Sequence, residues 1–337
     1  MANAENLVEI ETVKSSGKVK YSRPFVALLA AALLLIFLVE GCEEQRPPLK
    51  VARHIWPGYE FMFLAEQLGK IDPEQVQFVQ TNTAPDTLNL LFRGEVDGGA
   101  LTLDEVLRAH DKGLPLVAVL VFNISAGADV LIARPEISSP QELENKRIGV
   151  ETGAVGAIML DRALEAGGMD IESITVVPLR IDEQVDAWRR GDIDAVVTYE
   201  PNASLIRSLG GHEIFSSRQA SNLIVDVLAF RPEAMQRQEQ IQHLVDAHFS
   251  AQKHFFNNEA DTEYRLSARL GVSPDQVISL FDGLVLPDRA SNHRLLNTGL
   301  EETRENTDKL IEIMQRAQII KLPLLKHPLF DGDFVEP

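Results

Sequence analysis

The sequence repeats itself at an offset of 97 residues. Three separate blocks align at this single offset without a gap: 51–53 with 148–150, 93–97 with 190–194, and 129–136 with 226–233. One such match would be weak evidence, because glycine after a helix and aspartate before a strand are common. Three matches at one shared offset indicate a duplicated folding unit.

Each copy follows the order strand, helix, strand, helix, strand, helix. In the first copy, apolar runs and helical periodicity predict strands at 50–53, 76–80 and 98–101, and helices at 59–69, 85–93 and from Leu103 onward. In the second copy they predict strands at 147–150, 174–178 and 195–198, and helices at 153–166, 183–190 and 201–209. This alternation predicts an α/β fold of two doubly wound lobes, with parallel sheets and helices on both faces.

The region 239–318 has helical periodicity, with Ile241, Leu244 and Val245 on one stripe. It has no strands of its own, so we expect it to pack on the first lobe. The first lobe would then be discontinuous, with residues 49–128 and 229–337. The second lobe would comprise residues 129–228, including the segments that cross between the lobes.

The N-terminal residues have the pattern of an export address. Four basic residues between positions 14 and 23 precede an apolar run at 25–39, which ends at Glu40-Gly41-Cys42. The run is shorter than the about 20 residues of a spanning helix. It resembles the lipobox of bacterial lipoproteins, in which the cysteine, here Cys42, is acylated; an uncleaved anchor helix is the alternative.

This pattern predicts the division of the N-terminal region and the cellular location of the globular part. Residues 1–42 are interpreted as a signal or anchor and residues 43–48 as a linker. The globular part is expected in the periplasm or on the extracytoplasmic face of the cytoplasmic membrane, anchored by lipid or helix.

Charge and cysteine content exclude several classes of function. The formal net charge is −18, which disfavours binding to phosphate backbones, so we expect no nucleic-acid partner. With Cys42 as the only cysteine, neither an intrachain disulfide nor a cysteine-based zinc site can form. His243 and His248 are interpreted as packed or solvated residues. We therefore expect no metal and no cofactor.

Candidate ligand residues follow from the repeat. In open parallel sheets, ligands bind beyond the carboxyl ends of the strands, where loops lead into helices. The residues at these positions in the two copies are His54, Trp56, Tyr59, Glu60, Thr102 and Asp104, and Glu151, Thr152, Gly153, Ala154, Tyr199 and Glu200. Asp129 and Asp226 stand at the start of the crossing segments and complete the candidate set.

Structural roles are open for several of these residues. Trp56 and Tyr59 could be packing residues, although the neighbouring turn favours partly exposed platforms for a ligand. The threonines could cap helices, and Tyr199 and Glu200 could form a plain strand-to-helix turn. The aspartates of the crossing segments could fix the hinge by accepting backbone N–H bonds. Glu151 at a helix start argues against a bare anion as ligand.

Several motifs together resemble the type II solute-binding proteins of the nitrate/sulfonate/taurine group. They are Trp56-Pro57-Gly58-Tyr59-Glu60 with the helix at 63–69, the strand motif at 146–150, the turn at Gly153, and Gly-Asp-Ile-Asp-Ala at 191–195. The resemblance covers about residues 49–300. It implies two lobes joined by two crossing segments that close by hinge motion, a monomeric binding protein rather than an enzyme, and an ABC permease as partner in the inner membrane.

Members of that group take up oxyanions, and relatives bind the pyrimidine precursor of thiamin. The candidate site here is acidic instead, with Glu60, Asp104, Asp129, Glu151, Glu200 and Asp226, and His54 as the one clear basic candidate. A like-charge contact at 4 Å costs about 1–4 kcal/mol, against about 8 kcal/mol for micromolar binding. We therefore predict a ligand with an amine or an amidine-like heterocycle, stacked on the aromatic residues.

Two other functions remain open. A sensory lipoprotein that presents its ligand to a membrane receptor would use the same closing motion. An enzyme similar to a thiamin-pyrimidine synthase is the second alternative, but His54 with Glu60 is too small a set to define an acid–base pair.

Overall fold

The computed structural model describes residues 46–151, 155–220, 223–321 and 327–336. In these residues the strands are β1 Leu49–Arg53, β2 Val76–Gln80, β3 Gly98–Thr102, β4 Val117–Ser125, β5 Val130–Ala133, β6 Arg147–Val150, β7 Thr175–Pro178, β8 Ala195–Thr198, β9 His212–Ser216, β10 Val225–Phe230 and β11 Leu284–Val285. The α-helices are α1 Glu60–Gln67, α2 Ala84–Arg93, α3 Leu103–Asp111, α4 Val155–Gly167, α5 Gln184–Arg190, α6 Asn202–Ser208, α7 Gln238–Asn257, α8 Glu259–Leu270, α9 Arg289–His293 and α10 Leu300–Arg316.

The strands form two sheets. Read from β2 and from β7, the two sheets have the same order of equivalent strands, and the first sheet adds β11 at its other edge. The first sheet runs β11-β4-β10-β3-β1-β2, and the second runs β7-β6-β8-β5-β9. In each sheet the first three strands of the copy are parallel, as predicted. The fifth strand of each copy is antiparallel to the third strand of the sheet that receives it and is exchanged: β5 comes from the first copy but lies in the second sheet, and β10 does the reverse. The expectation of parallel sheets therefore holds for the first three strands of each copy and does not extend to the exchanged strands.

Equivalent contacts in the two lobes confirm the duplication. Lys50 N donates to Asp97 Oδ2 at 2.7 Å, and Arg147 N donates to Asp194 Oδ2 at 2.8 Å. Both residues of the second pair lie 97 positions after those of the first. The two copies therefore share tertiary contacts as well as sequence.

The chain crosses between the lobes twice, after β4 and after β9. Ser125 and Ser217, one from each crossing, lie 2.7 Å apart at their Oγ atoms, and Gly127 N donates to Ser217 Oγ at 2.7 Å. Because β10 is paired in the first sheet from Val225, the chain is back in the first lobe four residues before the boundary expected at position 229.

The C-terminal helices pack on the first lobe, as expected from their apolar stripe. Ile241, Leu244 and Val245 of α7 are buried in the same core as the strands β3, β4 and β10. The short strand β11 interrupts this region and pairs with β4, which sequence periodicity could not predict for two residues.

None of the helices in the described ranges is long and apolar enough to span a bilayer. The predicted lipidation residue Cys42 lies outside those ranges, as does the whole predicted export segment.

Candidate functional site

The loop after β1 is fixed by side chains of the first lobe. Trp56 leads into the 3₁₀ turn Pro57–Tyr59, and its Nε1 donates to Asn123 Oδ1 at 3.1 Å. A Cβ at Gly58 would lie 1.7 Å from the same Asn123 oxygen, so only glycine fits there. The indole and the turn therefore pack against one asparagine of β4.

Tyr59 and Asp226 complete this network. The Tyr59 hydroxyl donates to Asp226 Oδ1, and Asn123 Nδ2 donates to Asp226 Oδ2 at 2.7 Å. Trp56 and Tyr59 are only 5% and 1% exposed, which corrects the expectation of partly exposed platforms. Their burial follows from the hydrogen bonds that hold them against β4 and β10.

A cavity of about 40 Å³ lies between the two lobes, and we call it the interlobe cavity. Eight of the predicted ligand residues line it: His54, Trp56, Tyr59, Thr102, Asp129, Glu151, Tyr199 and Asp226. It has room for roughly three water molecules, so the lobes are nearly closed on it. Trp56 of the first lobe and Tyr199 of the second meet edge to face across it, with ring centroids 5.0 Å apart.

Three predicted residues do not line the interlobe cavity. Glu60 is fully buried in an ion pair with Arg269 of α8. Glu200 accepts from Arg207 Nη1 at 2.8 Å, and Asp104 is buried but absent from the cavity wall. All three carboxylates were predicted from their positions at strand ends. Two of them instead form ion pairs outside the cavity wall, Glu60 with Arg269 and Glu200 with Arg207. The predicted residues Thr152, Gly153 and Ala154 lie outside the described ranges.

Two polar residues of the cavity wall were not among the predictions, Glu105 and Gln184. Glu105 is the third residue of α3, and its Oε2 accepts from Thr102 N at 2.9 Å. The spacing Thr-x-x-Glu could have marked this carboxylate as part of a helix start. Gln184 opens α5 and donates through Nε2 to Val197 O at 3.0 Å. No sequence signal distinguishes it from other helix-start residues.

Several buried polar atoms of the wall have no hydrogen-bond partner among the residues that the structure describes. They are His54 Nδ1, Thr102 Oγ1, Asp129 Oδ2, Glu151 Oε1 and Gln184 Oε1. The carboxylate and amide oxygens among them can only accept hydrogen bonds from a ligand, unless a carboxyl group is protonated. Among the described residues, no lysine or arginine lines the cavity. The site is thus built to receive hydrogen-bond donors.

Burial changes the proton affinity of these groups. Desolvation raises the pKa of Asp129 to about 7 and that of Glu151 to about 7, and it raises the pKa of Asp226 to about 8. The pKa of Glu105 is also raised, by burial and by the charge of Asp104. Burial lowers the pKa of His54 to about 4, so this imidazole is neutral at physiological pH. The cavity therefore has no permanent positive charge in its described wall.

The described residues contain no cluster of histidine, cysteine, aspartate and glutamate that could hold a metal ion.

Comparison with known proteins identifies relatives of this fold. The model of the NMT1/THI5 like family matches residues 74–259. The taurine-binding periplasmic protein of Escherichia coli K12 is 24% identical over 135 residues, which are 40% of this chain and 42% of that protein. The aligned region thus spans less than half the length of this curated relative.

Solved structures match over most of the chain. An alkanesulfonate-binding protein from Xanthomonas axonopodis pv. citri, bound to MOPS, has a TM-score of 0.72 at 16% identity, covering 86% of this chain and 99% of that one. The periplasmic aliphatic sulphonate binding protein of Escherichia coli has a TM-score of 0.66 at 20% identity, covering 83% and 95%. A desulfurization enzyme has a TM-score of 0.60 at 15% identity, covering 86% and 98%.

These structures share the type II binding-protein fold with the chain, which confirms the fold expected from the sequence. An enzyme is among them, so function has to be inferred from the side chains of the site. The resemblance to the nitrate/sulfonate/taurine group is confirmed as well. Because the family model covers more than half of its residues, the chain belongs to the NMT1/THI5-like family.

Proposed function

We propose that this protein is the extracytoplasmic ligand-binding component of an ABC-type importer. It would capture a small polar organic molecule by closure of its two lobes and deliver it to a permease in the inner membrane. The interlobe cavity supports this proposal, because its wall combines side chains of both lobes and would be divided if the lobes separated. The two crossings after β4 and β9 supply the hinge that such a motion needs.

The ligand is proposed to carry an amine or a donor-rich heterocycle. The relatives named above are described as binding taurine or sulfonates, and a sulfonate needs hydrogen-bond donors and positive charge. This cavity offers the opposite, since Asp129, Glu151 and Gln184 present unpartnered acceptor oxygens. Taurine also carries an ammonium group, and that half of its chemistry would fit these acceptors. The acceptor-rich wall is the observation on which the ligand class depends.

Export and anchoring belong to the same proposal. The basic residues, the apolar run and Cys42 would direct the chain out of the cytoplasm and hold it at the membrane. Mass spectrometry of the protein from a membrane fraction tests this. An acylated N-terminal Cys42 supports lipid anchoring, whereas an intact N-terminus supports the anchor helix.

The ligand class is tested by thermal unfolding of the purified protein with sets of amines, amino-heterocycles, amino acids and alkanesulfonates. Ligand at about 100 times its dissociation constant should add about 2.7 kcal/mol of stability, which raises the melting temperature by a few degrees. We expect this shift with members of the amine or heterocycle sets. Stabilisation by alkanesulfonates alone would contradict the proposed ligand class.

A transport function is tested with the permease and ATPase encoded nearest to this gene. The protein with its stabilising ligand should stimulate ATP hydrolysis by the reconstituted transporter, and the protein without ligand should do so less. Ligand binding without any stimulation would instead favour the sensory alternative.

A further inference from the structure

The second lobe and its crossing segment present two carboxylate oxygens that have no partner, Asp129 Oδ2 and Glu151 Oε1. Asp129 directly precedes β5 and is 3% exposed, and Glu151 directly follows β6. Both line the interlobe cavity. In contrast, Asp226, which occupies the position equivalent to Asp129, has both oxygens engaged by Tyr59 and Asn123. A ligand can therefore reach Asp129 and Glu151 without breaking a hydrogen bond of the empty protein.

The cations around Asp129 and Glu151 do not fully neutralise the negative charges that surround these two carboxylates. The acidic neighbours from the first lobe are Asp104, Glu105 and Asp226, and Asp182 adds a carboxylate from the second lobe. The cations that act on Glu151 are Arg180 and Arg108, and neither lines the cavity. The remaining titratable groups of the wall are His54, Tyr59 and Tyr199, all uncharged near neutral pH because burial shifts the pKa of each in that direction.

We propose that Asp129 and Glu151 are the specificity-determining residues for a cationic ligand with at least two N–H donors, and that capture of this cation releases protons from them. This inference rests on the proposed binding function and specifies its ligand and its pH dependence. In a carboxyl that gives up its proton, the O–H bond breaks, the proton passes to solvent, and the ligand's positive charge takes its place next to the carboxylate. One positive charge on the ligand balances one released proton, and release of a second proton adds one negative charge to the closed cavity.

The exchange follows from electrostatics in a desolvated space. Two carboxylates cannot both be ionised there at low cost unless a positive charge accompanies them. Consistent with this, burial raises the pKa of each to about 7, so a share of both groups is protonated in the empty protein at neutral pH. A neutral ligand of the same shape would not supply the charge and would leave the protons in place.

Methylguanidinium and its uncharged isostere methylurea test the inference in solution. Methylguanidinium is small enough for a nearly closed cavity and stays protonated at neutral pH, as arginine does. Its dissociation constant, measured by calorimetry, should fall about tenfold between about pH 6 and pH 8 if one proton is released, and about a hundredfold if two are released. Methylurea should bind more weakly and without this pH dependence.

Calorimetry in two buffers with different ionisation enthalpies counts the released protons directly. Asp129→Asn and Glu151→Gln should each weaken methylguanidinium binding and lower the proton count, while methylurea binding stays near its original value. Glu144→Gln, an exposed carboxylate of the same lobe, is the matched control and should behave like the original protein.

Each result has a defined meaning. Methylguanidinium binding with a pH-independent dissociation constant, or binding unaffected by both variants, would overturn the proton exchange while the proposed ligand class stands. Absence of methylguanidinium binding, with alkanesulfonates binding tightly, would overturn both the inference and the ligand class.

Discussion

At the scale of single residues, Asp129 and Asp226 show how two copies of one sequence motif diverge. They lie 97 positions apart at the start of the exchanged strands. Asp226 organises the aromatic loop of the first lobe through Tyr59 and Asn123, whereas Asp129 keeps one oxygen free in the interlobe cavity. Among the hydrogen bonds between described residues, Asp226 accepts from side chains only, and no backbone N–H donates to the Asp129 carboxylate.

The buried carboxyls should make the empty protein less stable as the pH rises. Burial raises the folded pKa of Asp129 to about 7 from 3.8, so the folded protein binds more protons than the unfolded chain between these values. The stability that this proton uptake adds to the folded protein is fully present below about pH 4 and is lost as the pH rises toward about 7. We therefore expect Asp129→Asn to gain stability relative to the original protein over this interval, by at least about 1 kcal/mol.

Urea unfolding at several pH values measures this difference. Glu144→Gln, whose side chain is exposed, provides the control and should show a constant difference from the original protein. A constant difference for Asp129→Asn as well would show that this carboxyl is not held in its neutral form.

At the scale of elements, the exchanged strands are fastened by equivalent arginines. After β5, Arg134 Nη2 donates to Trp188 O at 2.8 Å and its Nε donates to Ile193 O at 3.1 Å. After β10, Arg231 Nη1 donates to Leu91 O, the residue equivalent to Trp188. Each arginine follows an exchanged strand and donates hydrogen bonds to backbone carbonyls at or after the end of a helix. That helix belongs to the lobe whose sheet contains the exchanged strand.

Arg134→Met should destabilise the protein by about 1–3 kcal/mol, because two backbone carbonyls lose their charged donor. It also loses the stacking of the guanidinium on the Trp188 ring, whose centroid lies 4.5 Å from Cζ. Arg189→Met, an exposed change on α5, is the control and should cost little. Chemical unfolding of both variants measures the difference, and equal stability would show that the fastening contributes nothing.

At the scale of the whole molecule, contacts across the lobes favour the closed arrangement. Arg180 of the second lobe pairs with Asp86 of the first at 3.1 Å, and Trp56 meets Tyr199 across the interlobe cavity. Ile158 of α4 is buried in the hydrophobic core of the first lobe. Loss of one of these contacts should therefore shift the balance between closed and open forms.

Arg180→Met should open the empty protein. A partly exposed ion pair contributes up to about 1 kcal/mol, which changes the ratio of open to closed molecules about fivefold at most. Small-angle X-ray scattering should therefore give a larger radius of gyration for this variant. Arg190→Met removes an ion pair with Asp192 inside the second lobe and should leave the radius unchanged. The same radius for both variants would show that the Arg180 pair does not hold the lobes together.

Local patterns predicted most elements well but could not predict the strand exchange. The strands at 76–80, 147–150 and 195–198 were placed to the residue, because apolar runs and turn signals mark them in the sequence. The antiparallel entry of β5 and β10 depends on pairing with β8 and β3, far away along the chain. Among the candidate site residues, Glu60 and Glu200 do not line the interlobe cavity for a similar reason, because the local pattern does not reveal their arginine partners.

By itself, the sequence determined the duplication, the alternation of strands and helices, and the ends of strands where a site could form. The strand and helix patterns depend on neighbours a few residues apart and appear as periodicity, and the duplication appears as a repeat at an offset of 97 residues. Tertiary structure decided which sheet receives each exchanged strand and which carboxylates keep a free oxygen. The physical reason is that a carboxylate can bind a ligand only if no donor from elsewhere in the chain already occupies it. The Tyr59 hydroxyl, 167 residues away in the chain, donates to Asp226 and so occupies that oxygen.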